Sequence, residues 1–91
     1  MESRRDLRSR ITSIFDLPGD VVLDVARVIL VGDMQMAVEN HRGLIEYSPG
    51  RVVIGVPKGQ IAVEGEELRI GSITPEEIIL MGRIASLRFV P

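Results

Sequence analysis

The sequence predicts an all-β domain, a small antiparallel β-sandwich of about seven or eight short strands behind one N-terminal amphipathic helix. Three observations lead there. Strand-like apolar runs recur every ~8–12 residues from Val21 onward. Turn signals built on Gly, Pro, Asn and Asp separate them. Within the runs apolar side chains alternate, and only residues 2–15 carry a helical period. A β-solenoid-like stack is the alternative. It rests on a loose echo of Gln60-Ile-Ala-Val-Glu-Gly in Glu67-Leu-Arg-Ile-Gly and Glu77-Ile-Ile-Leu-Met-Gly, which lacks a fixed period.

Residues 1–16 form the predicted helix and residues 17–91 the β-domain. Leu7, Ile11, Ile14 and Phe15 fall at i, i+4, i+7 and i+8, one face of a 3.6-residue period. Arg4, Arg5, Arg8 and Arg10 occupy most of the rest. Ser3 can cap the start, and Pro18 disfavours helical backbone at Leu17, which ends it.

The β part opens with Val21–Val25. Val28–Val31 is continuously apolar, which suits a strand covered on both faces or one whose outer face meets the helix. After a turn at Gly32-Asp33, Met34, Met36 and Val38 are expected inward. Asn40-His41-Arg42-Gly43, Ser48-Pro49-Gly50 and Pro57-Lys58-Gly59 read as tight hairpin turns. Between and after them Val52, Ile54, Val56, Ile61 and Val63 share the inner side. Gly65-Glu66-Glu67 reads as a further turn and Gly71–Ile73 as part of a longer connection, with Thr74-Pro75-Glu76-Glu77 as one helical turn. From Ile78 to Val90 the apolar parity changes near Gly82-Arg83, as at a β-bulge or sharp bend.

Composition excludes several function classes. The 91 residues include no Cys, which removes disulfides, thiolate nucleophiles and Cys-based metal sites. A net charge of −2 offers no general attraction to nucleic acid, and 3% aromatic residues are too few for base stacking. No apolar run approaches the ~20 residues of a membrane-spanning helix, and no signal peptide is legible. No phosphate-binding loop is present, because Gly55, Gly59 and Gly65 have no helix behind them.

The only His, His41, lies between Glu39 and Glu46 and could serve as a ligand or general base. A catalytic zinc would need further ligands from carboxylates alone, so a locally hydrogen-bonded turn residue is the better reading. Adjacent pairs such as Glu66-Glu67 and Glu76-Glu77 point to opposite faces of a strand and cannot act as a dyad there. No catalytic residue, metal site or cofactor is therefore assigned. Asn40, His41, Gly43, Pro57, Gly59, Gly65 and Gly82 are assigned to turns and bulges. The strongest local signal for function is the basic helix. Arg4, Arg5, Leu7, Arg8, Arg10, Ile11, Ile14 and Phe15 are its candidate contacts to a partner protein or to anionic lipid.

Four segments together resemble the YabP/YqfC family of sporulation proteins. They are Leu17-Pro18-Gly19-Asp20-Val21-Val22-Leu23-Asp24-Val25, then Val38-Glu39-Asn40-His41-Arg42-Gly43-Leu44-Ile45-Glu46-Tyr47-Ser48. Lys58 to Gly65 with Leu68 and Ile70 follows, and then Glu76 to Ile84 with Leu87 and Phe89. The family's usual Thr before the Pro/Gly turn is here Val56-Pro57. The resemblance implies a non-enzymatic protein of the mother-cell cytoplasm, peripheral at the forespore outer membrane or in the spore coat. It implies no catalytic residues. The expected partners are a second copy of the chain, giving a homo-oligomer, and the membrane-associated sporulation protein YqfD, with the membrane surface as a further contact.

Overall fold

A computed structural model describes residues 24–91 of the chain. The predicted helix at residues 1–16, with the Arg4–Phe15 contacts assigned to it, lies outside the described residues, as does the start of the expected strand at Val21.

A long hairpin is the axis of the fold. Strand β5 (Gly59–Ile73) and strand β6 (Glu77–Val90) pair antiparallel along their length. Strands β1 (Arg27–Val31) and β2 (Gln35–Glu39) form a hairpin that pairs, through β2, with the first part of β6. Strands β3 (Leu44–Ser48) and β4 (Arg51–Val56) form another that pairs, through β4, with the first part of β5. The order across the sheet is β1-β2-β6-β5-β4-β3. Every pairing is antiparallel, as the all-β reading expects, so the solenoid-like stack does not occur among the described residues.

This sheet is bent double, and the connections demand it. In a straight ribbon Gln60 on β5 and Thr74 just past its end would stand about 45 Å apart at ~3.3 Å per residue. Yet the Asn40 N–H donates to the Glu76 carbonyl at the tip of the β5–β6 hairpin (3.0 Å). Two residues later the Arg42 N–H donates to the carbonyl of Gly55, which pairs with Gln60 at the hairpin's other end (2.6 Å). Two residues span at most ~7 Å, so the two ends must lie almost together. The long hairpin thus folds its two wings face to face as a sandwich.

The bend sits where the register slips. Glu67 and Leu68 on β5 oppose the single residue Gly82 on β6, because Glu66 pairs with Arg83 and Arg69 with Met81. Two residues against one is the count of a β-bulge. Further slips leave Ala85 unopposed on β6 and Gly71 unopposed on β5. Gly82 has φ = +124°, and a Cβ there would lie 2.5 Å from the Glu67 carbonyl oxygen, so this position requires Gly.

Tips of the flanking hairpins brace the bend from both sides. The Leu68 N–H donates to Pro49 O (2.9 Å) and the Gly65 N–H to Gly50 O (3.1 Å). Tyr47 OH donates to Leu68 O (2.7 Å). On the other strand the Gly82 and Ile84 N–H groups donate to the carbonyls of Met34 and Asp33, in the β1–β2 turn. Backbone groups freed by the bulge are thereby satisfied.

The core fills the space between the wings. Met36, Val38, Ile78 and Leu80 from one wing meet Val52, Ile54, Ile61 and Val63 from the other, with Leu68 at the bend. All nine are at most 1% exposed, which a flat single-layer sheet could not achieve.

Several sequence expectations need correction. The described residues hold six strands, with β5 and β6 each joining stretches read as separate. Gly65-Glu66-Glu67 is bulged strand, not a turn, and Gly71–Ile73 is strand, not connection. Thr74–Glu77 closes a hairpin rather than a helical turn, with the Thr74 N–H donating to Glu77 O. Met34 lies in the β1–β2 turn and is exposed rather than inward. Among the described residues strand β1 is a sheet edge with exposed side chains and not covered on both faces, and the helix expected against its outer face lies outside the described residues.

Candidate interaction surface

Two features could carry function: a polar corner around His41, and the exposed apolar margin of the sheet. The corner arises because Asn40–Gly43 is not a hairpin turn. Strands β2 and β3 are not neighbours in the sheet, so these residues cross from one wing to the other. Asn40 takes φ = +61°, which Asn tolerates better than most residues, and Gly43 takes φ = +106°.

Side chains here tie three parts of the chain together. Asn40 Nδ2 donates to Asp24 Oδ1 (3.0 Å) and to Val25 O (2.9 Å). Arg42 Nη2 lies 2.7 Å from Asp24 Oδ1, and its Nη1 donates to Asn40 Oδ1 (3.1 Å). His41 Nδ1 accepts from the Gly43 N–H (2.9 Å), so Nε2 carries the proton and donates to Thr74 O (2.8 Å). Both ring nitrogens are thus held by backbone, and neither offers a lone pair to a metal or substrate. Glu39, Glu76 and Glu77 line the same shallow recess, but no group of three His, Asp or Glu side chains among the described residues has metal-binding geometry. The corner is a clasp that closes the sandwich where its wings meet.

Asp24 ionises below its ordinary value of 3.8, first because Asn40 donates to it and next because Arg42 does. A depressed carboxyl favours the folded state above its unfolded pKa, and that contribution is lost as pH falls through the lower folded value. The expected result is an acid limb of stability starting below about pH 4. It should flatten in Asp24→Asn when urea midpoints are compared at neutral and acid pH. Both side chains of the Asp24–Arg42 pair are solvent-exposed, so the effect is small.

The other turn assignments fall at distinct places. Pro57 and Lys58 form the β4–β5 loop, with Lys58 at φ = +69°. Gly59 opens β5, where a Cβ would overlap the Val90 carbonyl oxygen. Gly65 lies at a register slip, where a Cβ would overlap the Arg83 carbonyl oxygen.

The apolar margin was not singled out by the sequence, because an edge strand and a buried one share the same composition. On β1, Ile29, Leu30 and Val31 are 39, 51 and 59% exposed. On the other wing Ile45 and Tyr47 of β3 and Phe89 of β6 are exposed as well. Phe89 pairs with buried Ile61 and so lies at the open end of the core face. Among the described residues no helix is long and apolar enough to cross a membrane.

Comparison with known proteins agrees with the resemblance read from the sequence. No solved structure matches the chain. It is 34% identical over 89 residues to the uncharacterized protein YqfC of Bacillus subtilis (strain 168), an alignment covering 98% of this chain and 96% of that protein. The model of the YabP family matches residues 23–91, the whole bent sandwich with its clasp, and the chain belongs to that family.

Proposed function

We propose that the chain is a non-enzymatic assembly module of sporulation, acting in the mother cell during engulfment or spore coat formation. The YabP/YqfC family is associated with sporulation, which supplies the setting. The observation that carries the module reading is the exposed apolar margin, on a sheet whose strand edges remain open among the described residues. Open edges and exposed large apolar side chains are how β-domains recruit further strands. The polar corner supports the non-enzymatic part, since its side chains are spent on holding the fold.

The module would bind a second copy of itself and a membrane-associated partner, for which YqfD is the proposed protein. Arg4, Arg5, Leu7, Arg8, Arg10, Ile11, Ile14 and Phe15 are the proposed contact to that partner. The same segment favours a second reading, a peripheral membrane adaptor, because four Arg stand against two acids in residues 1–15.

Affinity capture from sporulating cells separates the two. The intact chain should recover a membrane protein that a chain lacking residues 1–15 recovers less well. The adaptor reading instead predicts salt-sensitive flotation of the intact chain with anionic liposomes and no specific protein. Recovery of neither protein nor vesicles would contradict both.

A further inference from the structure

Among the described residues the sheet has four open edge segments, and they differ in whether two copies could pair across them. In the symmetric antiparallel register that pairs the full length of a segment with its copy, the central residue lies opposite itself. On β3 that residue is Glu46, so two carboxylates would meet, and the strand is also bulged between Leu44 and Glu46. Like charges directly opposite destabilise a strand pair. On the free part of β6, Ser86–Val90, the central residue is Arg88. On the free part of β5, Arg69–Ile73, it is Gly71, which sits in a bulge. Charge, bulge and Gly are the devices that keep an edge from pairing.

Strand β1 has none of them. Its five residues pair with β2 without a register slip, it holds no Pro or Gly, and its central residue is Ile29. The strand is also self-complementary. With Ile29 opposite Ile29 of a second copy, Val28 faces Leu30 and Arg27 faces Val31. Asp33 lies in the β1–β2 turn two residues past Val31, at the strand end beside which Arg27 of the second copy would stand. The cation of each copy therefore lies toward the anion of the other.

We infer that β1 is the homodimerisation edge, joining two copies antiparallel about a two-fold axis at Ile29 into one continuous twelve-stranded sheet. The inference rests on the self-association reading and assigns it a place. A five-residue edge buries little area, so the dimer is reversible and concentration-dependent.

The chain has no Cys, which makes an introduced thiol a clean reporter. Residues opposite one another across an antiparallel pair have Cβ atoms about 4.5–5.5 Å apart, close to disulfide reach. The intact Ile29→Cys chain, oxidised by air with copper, should form a covalent dimer about tenfold faster than an Ile45→Cys chain, although position 45 on β3 is the more exposed (55% against 39%). Ile29→Lys should convert the unmodified dimer to monomer, with the melting temperature that the native chain shows at dilutions where it too is monomeric, because the side chain is partly solvent-exposed in one copy. A native dimer that persists in Ile29→Lys, with slow cross-linking of Ile29→Cys, would overturn the β1 assignment and leave self-association standing. A native chain that is monomeric at every concentration would overturn both. It would assign the edge to residues 1–23 or to a different protein.

Discussion

Gly82→Ala is expected to lower stability by roughly 3 kcal/mol or more, a large share of what a small domain has. Two causes add. At φ = +124° an L-residue is strained. The new Cβ would also meet the Glu67 carbonyl at 2.5 Å and the Leu68 Cα at 2.9 Å, both backbone atoms that cannot rotate away. Relief would require opening the bulge, and the bulge is what folds one wing onto the other. Gly32→Ala is the control. It also has positive φ, +55°, but its Cβ would meet nothing within 4 Å, so it should cost only about 1 kcal/mol. Urea denaturation followed by circular dichroism separates the two. Equal midpoints would mean that the strands do not cross closely at Gly82.

Leu68→Ala should cost about 2–5 kcal/mol, the range for emptying a buried Leu site. Leu68 is 1% exposed and belongs to the bulge itself, so its side chain fills the space between the wings at the bend. The surroundings have little freedom to collapse into the gap. Leu68 N–H and C=O are held by Pro49 and Tyr47, and Gly82 stands opposite. That places the cost toward the upper end. Phe89→Ala, a larger truncation at an exposed position, should change the midpoint little. A Leu68→Ala loss no larger than that of Phe89→Ala would contradict a core closed between two wings.

Local features of this fold were legible in the sequence. Pro49-Gly50 and Pro57-Lys58 are hairpin loops as expected, and Val52, Ile54, Ile61 and Val63 point into the core as their alternation predicts. The parity change at Gly82 marks the bend. What escaped is continuity. Turns and bulges use the same residues for the same reason, a backbone away from ordinary extended geometry. Gly65-Glu66-Glu67 and Gly71 therefore looked like ends of strands rather than irregularities within one.

Topology escaped too. Asn40–Gly43 has the composition of a hairpin turn, and only the long-range bonds to Glu76 and Gly55 reveal a crossing between wings. The clasp partners Asp24 and Thr74 are 16 and 33 residues away from Asn40 and His41 respectively. No local pattern announces such contacts. The β1 edge was hidden for a related reason. Val28–Val31 reads as a strand covered on both faces or by the helix on its outer face, and whether a strand has one neighbour or two is decided by the whole sheet.

The account's central claim is that this domain works by assembling. The most direct test is the solution mass of the intact chain, measured by light scattering or sedimentation equilibrium over a wide concentration range. One chain weighs 10.1 kDa. The account predicts a weight-average mass that rises with concentration toward twice that value and falls on dilution. A mass fixed at one chain across the whole range would contradict it.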